Sequence, residues 1–246
     1  MSDSPYRQLD PTQIVATLTR LRERIAERFP SASLGGVSQE LLTLTNEATD
    51  TIAYLRRPLW ILRIAVGTAI VGAAFVLFMA SKSVRIPVGV SGVSEFFQGI
   101  EAAINDLIFF GLGVFFLVTV EMRIKRRRAL RALHQLRSII HIVDMHQLTK
   151  DPERLMSPQQ DTASSPERSM APPELGRYLD YCSELLSVTS KVAALFVQYF
   201  NDPVVLVAVN DIESLAAGYS SKIWQKITLL ERASARTLHE SRQAPS

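Results

Sequence analysis

The sequence predicts an all-α protein: a two-span transmembrane helical hairpin with cytoplasmic helices that include a C-terminal antiparallel helical hairpin. Two dense apolar stretches, at residues 59–80 and 102–121, stand out in a chain that is 47% hydrophobic and 21% charged. Elsewhere apolar residues recur every three or four positions, which is the period of an amphipathic helix, and no run has the alternation of a strand. The single cysteine, Cys182, excludes an internal disulfide framework and is typical of a reducing compartment.

Two amphipathic helices are expected within residues 1–57, on the cytoplasmic side. Asp10 and Pro11 form a helix start, an acidic N-cap followed by proline at the first helical position. A glycine pair that begins at Gly35 predicts a break, with the second helix starting near Ser38.

The membrane hairpin is predicted over residues 58–122, with spans at about 59–80 and 102–121 and an outer loop at 81–94. In the first span Arg63 is the only charged residue, and it lies near the end, where its side chain can snorkel. The uncharged run of the second span, 107–120, covers about 21 Å of a ~30 Å hydrocarbon core. By length it also fits a buried or re-entrant helix, but its apolar density and the basic residues that follow favour spanning. Small residues such as Gly111 and Gly113 predict close helix packing.

Four polar residues are expected within or at the edge of the membrane: Arg63, Asn105, Asp106 and Glu121. Arg63 and Glu121 fall at the inner boundary of antiparallel spans, so we expect them to pair, unless both reach into headgroup water. Asp106 should pair, become protonated or line a wet cavity, unless the helix slides outward by a turn.

A basic cluster follows the second span directly and consists of Arg123, Lys125, Arg126, Arg127, Arg128 and Arg131. The whole chain is only +3, so its remainder is net acidic, and the cluster predicts contact with a lipid bilayer rather than with nucleic acid. Counting Lys and Arg near the span ends gives nine on this side against two in the loop. This asymmetry predicts a multi-pass protein of the bacterial inner membrane with both termini in the cytoplasm.

After the second span the predicted order is a juxtamembrane helix at 123–150, a flexible linker at 151–173, the helical hairpin at 174–235 and a disordered tail at 236–246. The linker is rich in proline and polar residues. The hairpin turns at Asn201-Asp202-Pro203. The first helix is predicted to stop there, and a capping residue and a proline start the second helix. Its two apolar stripes should face each other in coiled-coil-like packing.

No signature of catalysis is present, because phosphate loops, dinucleotide fingerprints, nucleophile elbows and zincin helices are all missing from the sequence. The nearest approach to a metal site is the group His134, His141, Asp144 and His146, which also fits the solvated side of a helix. Cys182 lies on an apolar stripe and is expected in the core. We therefore predict a non-enzymatic protein with no cofactor and no metal.

Two stretches carry a resemblance to a known group of proteins: DMHQLTKDP at 144–152, and the hairpin from YLDYCSELL at 178–186 to SKIWQKI at 221–227. They resemble uncharacterised bacterial integral membrane proteins with two spans and a helical C-terminal portion, over about the last half of the chain. That resemblance implies the fold and no activity. In topology alone the chain is similar to SLATT-type two-span effector domains, which implies a membrane pore opened when a partner signals.

Two functions are compatible with these features. The first is a membrane anchor, scaffold or signalling module that acts through cytoplasmic helix–helix interactions, with a second copy of the chain or another membrane or cytoplasmic protein as partner. The alternative is a homo-oligomeric pore, in which several copies line a path with polar residues of the second span.

Overall fold

The computed structural model describes residues 7–83, 90–148, 150, 152 and 170–243. Six helices occur among them: α1 (Pro11–Arg28), α2 (Leu34–Arg56), α3 (Trp60–Ser83), α4 (Val90–Leu148), α5 (Pro172–Tyr199) and α6 (Pro203–Gln243). No strand occurs within these residues, so the all-α class is confirmed.

Two of the helix starts depend on an aspartate followed by a proline. At α1, Asp10 accepts a hydrogen bond from the backbone N–H of Thr12 at 2.8 Å. At α6, one oxygen of Asp202 accepts from the N–H groups of Val204 at 3.0 Å and Val205 at 3.2 Å. These caps supply partners for N–H groups that a helix cannot satisfy internally.

The second helix begins earlier than predicted, at Leu34 instead of near Ser38. The glycine pair lies inside its first turn, and neither glycine has a positive φ. The hydroxyl of Ser38 donates to the carbonyl of Gly35 at 2.7 Å, and Leu34 is fully buried. The predicted break is present but lies earlier, between Arg28 and Leu34, because the burial of Leu34 extends the helix backward.

The α5–α6 hairpin forms with both predicted stripes in the core. Buried residues of the stripes are Leu175, Leu179, Cys182, Leu186, Thr189, Ala193, Phe196 and Phe200 on one side, and Val205, Val209, Ile212, Ala216, Ile223, Ile227 and Leu230 on the other. Helix α5 also buries a second face, which includes Tyr181, Leu185 and Leu195, and it packs against α1 and α2 through the core unit. A helix that is apolar on two faces needs neighbours on both sides.

The first helix is fixed to α5 at several points. Gln198 accepts a hydrogen bond from the N–H of Leu9 at 2.8 Å and donates to its carbonyl at 3.0 Å. Arg24 and Glu184 form an ion pair at 2.7 Å, and the ring of Phe29 meets that of Tyr178 edge-on at 5.6 Å.

The chain divides into two compact units. The core unit consists of Met1–Arg56 and Arg128–Ser246, and the apolar unit consists of Arg57–Arg127. Buried residues of α1, α2, the last part of α4, α5 and α6 belong to one hydrophobic core. Segments that the sequence analysis treated separately therefore fold together.

Two predicted boundaries need correction. The loop predicted at 81–94 is shorter, because α3 continues to Ser83 and α4 starts at Val90; residues 84–89 lie outside the described part. The tail predicted as disordered is helical up to Gln243, since 236–243 holds good helix formers and neither glycine nor proline. The predicted linker at 151–173 lies outside the described residues, apart from 152 and 170–173.

Replacing Gly36 by alanine should stabilise the core unit. A Cβ added there has nothing within 4 Å, and the residue is helical, so the change only removes freedom from the unfolded chain. We expect a gain of about 0.5–1 kcal/mol in the free energy of unfolding, followed by far-ultraviolet circular dichroism. Ser38→Ala, which loses the bond to Gly35, is the control and should lower stability. A loss of stability in Gly36→Ala would show that this position needs the conformational freedom of glycine.

Candidate functional site

The apolar unit exposes most of its large apolar side chains. The exposed fraction is 69% for Val71 and 59% for Phe75 on α3, and 73% for Phe109 and 70% for Phe115 on α4. Soluble monomers rarely expose contiguous apolar patches larger than a few hundred Å². The chain alone therefore leaves a large apolar surface uncovered.

Helix α4 is long and apolar enough to cross a membrane, judged by length and composition. Within Phe97–Leu148 an 18-residue window has a mean hydropathy of 2.1, and none of it is buried. The apolar stretch described in α3, Arg63–Val76, is shorter, at 14 residues. The second predicted span, whose uncharged run covers only part of the hydrocarbon core, is thus the one that meets both criteria among the described helices.

The small residues of these helices do not pack closely within the chain. A Cβ added at Gly67, Gly72, Gly111 or Gly113 has nothing within 4 Å. Among the described residues, therefore, no close packing occurs at Gly111 and Gly113, and packing against a second copy stays a prediction. Both glycines have room for side chains, because no neighbouring helix reaches them among the described residues.

Glu121 is a junction between the start of α3 and the later part of α4. Its carboxylate pairs with Lys125 at 2.8 Å and with Arg63 at 3.9 Å, and it accepts a hydrogen bond from the N–H of Leu59 at 3.3 Å. The pairing predicted for Arg63 and Glu121 is present. The closer partner, Lys125, was missed, although its spacing of four residues on one helix is the signal that would have found it.

The basic cluster is not one uniform surface. Lys125 is buried at 7% exposure beside Glu121, and the guanidinium of Arg128 lies 4.3 Å from the ring centre of Tyr54. Arg126 is half-buried. The exposed remainder, Arg123, Arg127 and Arg131, repeats every four residues along α4. These three arginines, and the exposed Arg128 beside Tyr54, are therefore available to a charged partner.

Asn105 and Asp106 are both exposed on α4, with exposed apolar residues before and after them. Their neighbours Ile104 and Leu107 are 53% and 60% exposed. Asp106 has no ion pair or hydrogen bond with the part of the chain that the structure describes. Among the described residues this carboxylate therefore has no partner.

A polar joint connects the last part of α4 to α6. The hydroxyl of Tyr219 lies 3.3 Å from Nδ1 of His141 and forms a hydrogen bond with Asp144. Desolvation and then the Asp144 carboxylate raise the pKa of Tyr219 above its ordinary value. The donor in the contact between His141 and Tyr219 depends on the tautomer of the imidazole.

A second contact of this joint lies one turn further along α4. Gln147 is 1% exposed, its amide nitrogen donates to Asp144 at 2.7 Å, and its backbone carbonyl accepts from Lys226 at 2.9 Å. The side-chain oxygen of Gln147 has no hydrogen-bond partner within the part of the chain that the structure describes. This joint was not predictable from the sequence, because neither Tyr219 nor Lys226 belongs to a recognisable motif.

The candidate metal residues do not converge. His141 and Asp144 share the joint, whereas His146 contacts the carbonyl of Ile142 on its own helix at 2.8 Å. Among the described residues no three His, Cys, Asp or Glu side chains, His134 included, are grouped to hold a metal ion. Cys182 is fully buried, and burial raises the pKa of its thiol to about 12, so it is protonated and unreactive at neutral pH.

Comparisons with protein-family models, with curated proteins and with solved structures found no match. The features that bear on function are therefore those of the chain itself. They are the exposed apolar surface, the Glu121 junction and the polar joint.

The Glu121 junction should depend more on Lys125 than on Arg63. The Lys125 contact is shorter, and the exposed fraction of its side chain is 9% against 60% for Arg63. In detergent we expect Lys125→Ala to cost about 2 kcal/mol of stability and Arg63→Ala less than about 1 kcal/mol. In double-mutant cycles with Glu121→Ala, the Lys125 pair should couple strongly and the Arg63 pair weakly. Equal coupling for the two cations would contradict this ranking.

Proposed function

We propose that the chain is a non-enzymatic integral membrane protein of the bacterial inner membrane. In this proposal α3 and α4 cross the bilayer as a hairpin, both termini are cytoplasmic, and the core unit is a scaffold or signalling module. The observation that carries it is the apolar window of α4, with a mean hydropathy of 2.1 and no part buried. A lipid bilayer is the environment in which a helix of this kind needs no protein cover.

The α3 span is included because of its length and the Glu121 junction. Helix α3 has 24 residues, about 36 Å at ~1.5 Å per residue, against a hydrocarbon core of about 30 Å. The bond from Leu59 to Glu121 brings the start of α3 beside α4 at the end of its apolar run. That contact supports antiparallel spans with the two ends on one side of the membrane.

The orientation rests on the distribution of cations. Arg123, Arg127 and Arg131 are exposed just after the apolar run of α4. Positively charged residues next to a span favour the cytoplasmic face, and each is worth about 1 kcal/mol at an anionic leaflet. In this proposal the lipid bilayer is the partner of these arginines, and nucleic acid is not.

The signalling role rests on the continuity of α4. This helix runs from Val90 to Leu148 without a break, so it includes the apolar window and the residues of the polar joint. A change in tilt or rotation of the span would reach His141 and Asp144 through the helix itself. Their contacts with Tyr219 would pass it to α6. The partner is a second copy of the chain or another membrane or cytoplasmic protein.

Reporter fusions test the membrane topology. A reporter active only in the periplasm should give no signal when fused to either terminus, and a clear signal when inserted within 84–89. A reporter active only in the cytoplasm should give the opposite pattern at the three sites, which serves as the matched control. The protein should also stay in the membrane pellet after alkaline carbonate extraction. Release of the protein, or a periplasmic C-terminus, would contradict the proposal.

A homo-oligomeric pore is the second candidate, and Asp106 is the observation that favours it. An exposed carboxylate among lipid-facing residues is costly unless it is paired, protonated or wet, and neighbouring copies would provide a wet path. One chain with two spanning helices cannot enclose such a path. The anchor is preferred, because one short polar patch is thin support for conduction.

Asp106→Asn separates the two candidates. For an anchor, vesicles containing the purified protein should remain tight to ions, and neither Asp106→Asn nor the control Glu101→Gln, an exposed acid earlier on α4, should change this. The oligomeric state in detergent should be the same in both variants. Cation conductance that is lost in Asp106→Asn and kept in Glu101→Gln would establish the pore instead.

A further inference from the structure

The first two turns of α6 form an apolar tip on the hairpin. We call this surface the hairpin tip, and it consists of Pro203, Val204, Leu206 and Val207. Val205 and Val209 of the same turns are buried in the core, at 0% and 3% exposure. Val204, Leu206 and Val207, in contrast, are 45%, 42% and 60% exposed. The start of α6 is therefore apolar on every side, and the core covers only one of them.

The hairpin tip has no exposed charge. Between Asn201 and Asn210 the only ionisable residue is Asp202, which is 1% exposed and caps the N–H groups of Val204 and Val205. The first exposed charged residue after the turn is Asp211. The cap gives these N–H groups a hydrogen-bond partner, so they no longer oppose the transfer of this turn out of water.

Cations lie at the same end of the core unit. The guanidinium of Arg56 is 5.0 Å from the ring centre of Tyr199, which immediately precedes the turn. Arg56 is the last residue of the core unit before the apolar unit, and Arg128 is the first one after it. The hairpin tip therefore lies at the end of the core unit where the chain leaves for the predicted spans.

From this placement we infer that the hairpin tip docks on the anionic cytoplasmic leaflet of the membrane. Exposed aliphatic residues, a half-exposed tyrosine and flanking arginines are the composition of an interfacial membrane element. The aliphatic side chains enter the headgroup boundary and Arg56 and Arg128 meet lipid phosphates. The inference rests on the proposed membrane insertion, and it adds a contact that orients the core unit against the bilayer.

Depth-dependent quenching in nanodiscs tests this contact with the full-length protein. Val207→Cys is labelled with a maleimide fluorophore, and the native Cys182 stays unlabelled because it is fully buried and protonated. The nanodiscs contain anionic lipid, with or without a lipid that carries a doxyl quencher near its headgroup. We expect the label at 207 to lose more than half of its emission when the quencher is present.

Two matched sites separate the docking from the insertion. Ser221→Cys, exposed on the same helix about 21 Å further along, should keep its emission. Phe109→Cys, in the apolar window of α4, should be quenched by a lipid with a deeper doxyl group. An unquenched label at 207 with quenching at 109 would overturn the docking and leave the membrane proposal intact. Lack of quenching at 109 would contradict both the docking and the membrane proposal. A label at 207 that is blue-shifted but not quenched by lipid would overturn the docking and assign the tip to a protein partner.

Discussion

Helix α4 imposes the main constraint on this molecule, because one unbroken helix has two different surfaces. Along its apolar window the large side chains are exposed, with Phe109 at 73%. Further along, Leu136 and Ile140 are buried in the core at 1% and 0%. A helix cannot exchange these surfaces without unfolding, so each part requires its own environment. For the last part that environment is provided by α1, α2, α5 and α6; for the first part the proposed bilayer provides it.

The boundary between these environments coincides with a concentration of charge. Glu121 accepts from Lys125 on its own helix and from the backbone of Leu59 before α3, and it lies 3.9 Å from Arg63. A carboxylate at the edge of a low-dielectric region is stable when it is paired and hydrogen-bonded. The same residue therefore fixes the start of one apolar helix relative to the end of the other. In the proposed topology this junction lies at the inner face of the membrane.

The core unit adds contacts that are specific rather than merely apolar. His141, Asp144 and Gln147 on α4 contact Tyr219 and Lys226 on α6 through hydrogen bonds. Apolar packing alone would tolerate a rotated or shifted α4, whereas these bonds favour one register. Under the proposed function these bonds transmit a change in the position of α4 to the hairpin. The inferred contact of the hairpin tip with lipid would fix the same unit at the start of α6.

Much of the local structure followed from the sequence because it depends on neighbours along the chain. At Asp10 and at Asp202 the side-chain oxygen caps the start of a helix by accepting from a backbone N–H two residues later, and a proline occupies the first helical position. The buried stripes of the hairpin follow from the 3.6-residue period. The pairing of Arg63 with Glu121 was also predictable, because antiparallel apolar segments of similar length bring their ends together.

Other features depended on residues far apart in sequence, and only the tertiary structure decided them. The second buried face of α5 is covered by α1 and α2. The periodicity of α5 alone did not show that this face is buried and not solvated. The burial of Lys125, the stacking of Arg128 on Tyr54 and the joint at Tyr219 divide a uniform run of charge into buried and exposed parts. Periodicity along a chain determines which residues share a face. Which face meets protein and which is left for another environment depends on packing between distant segments, and a linear pattern does not contain that information.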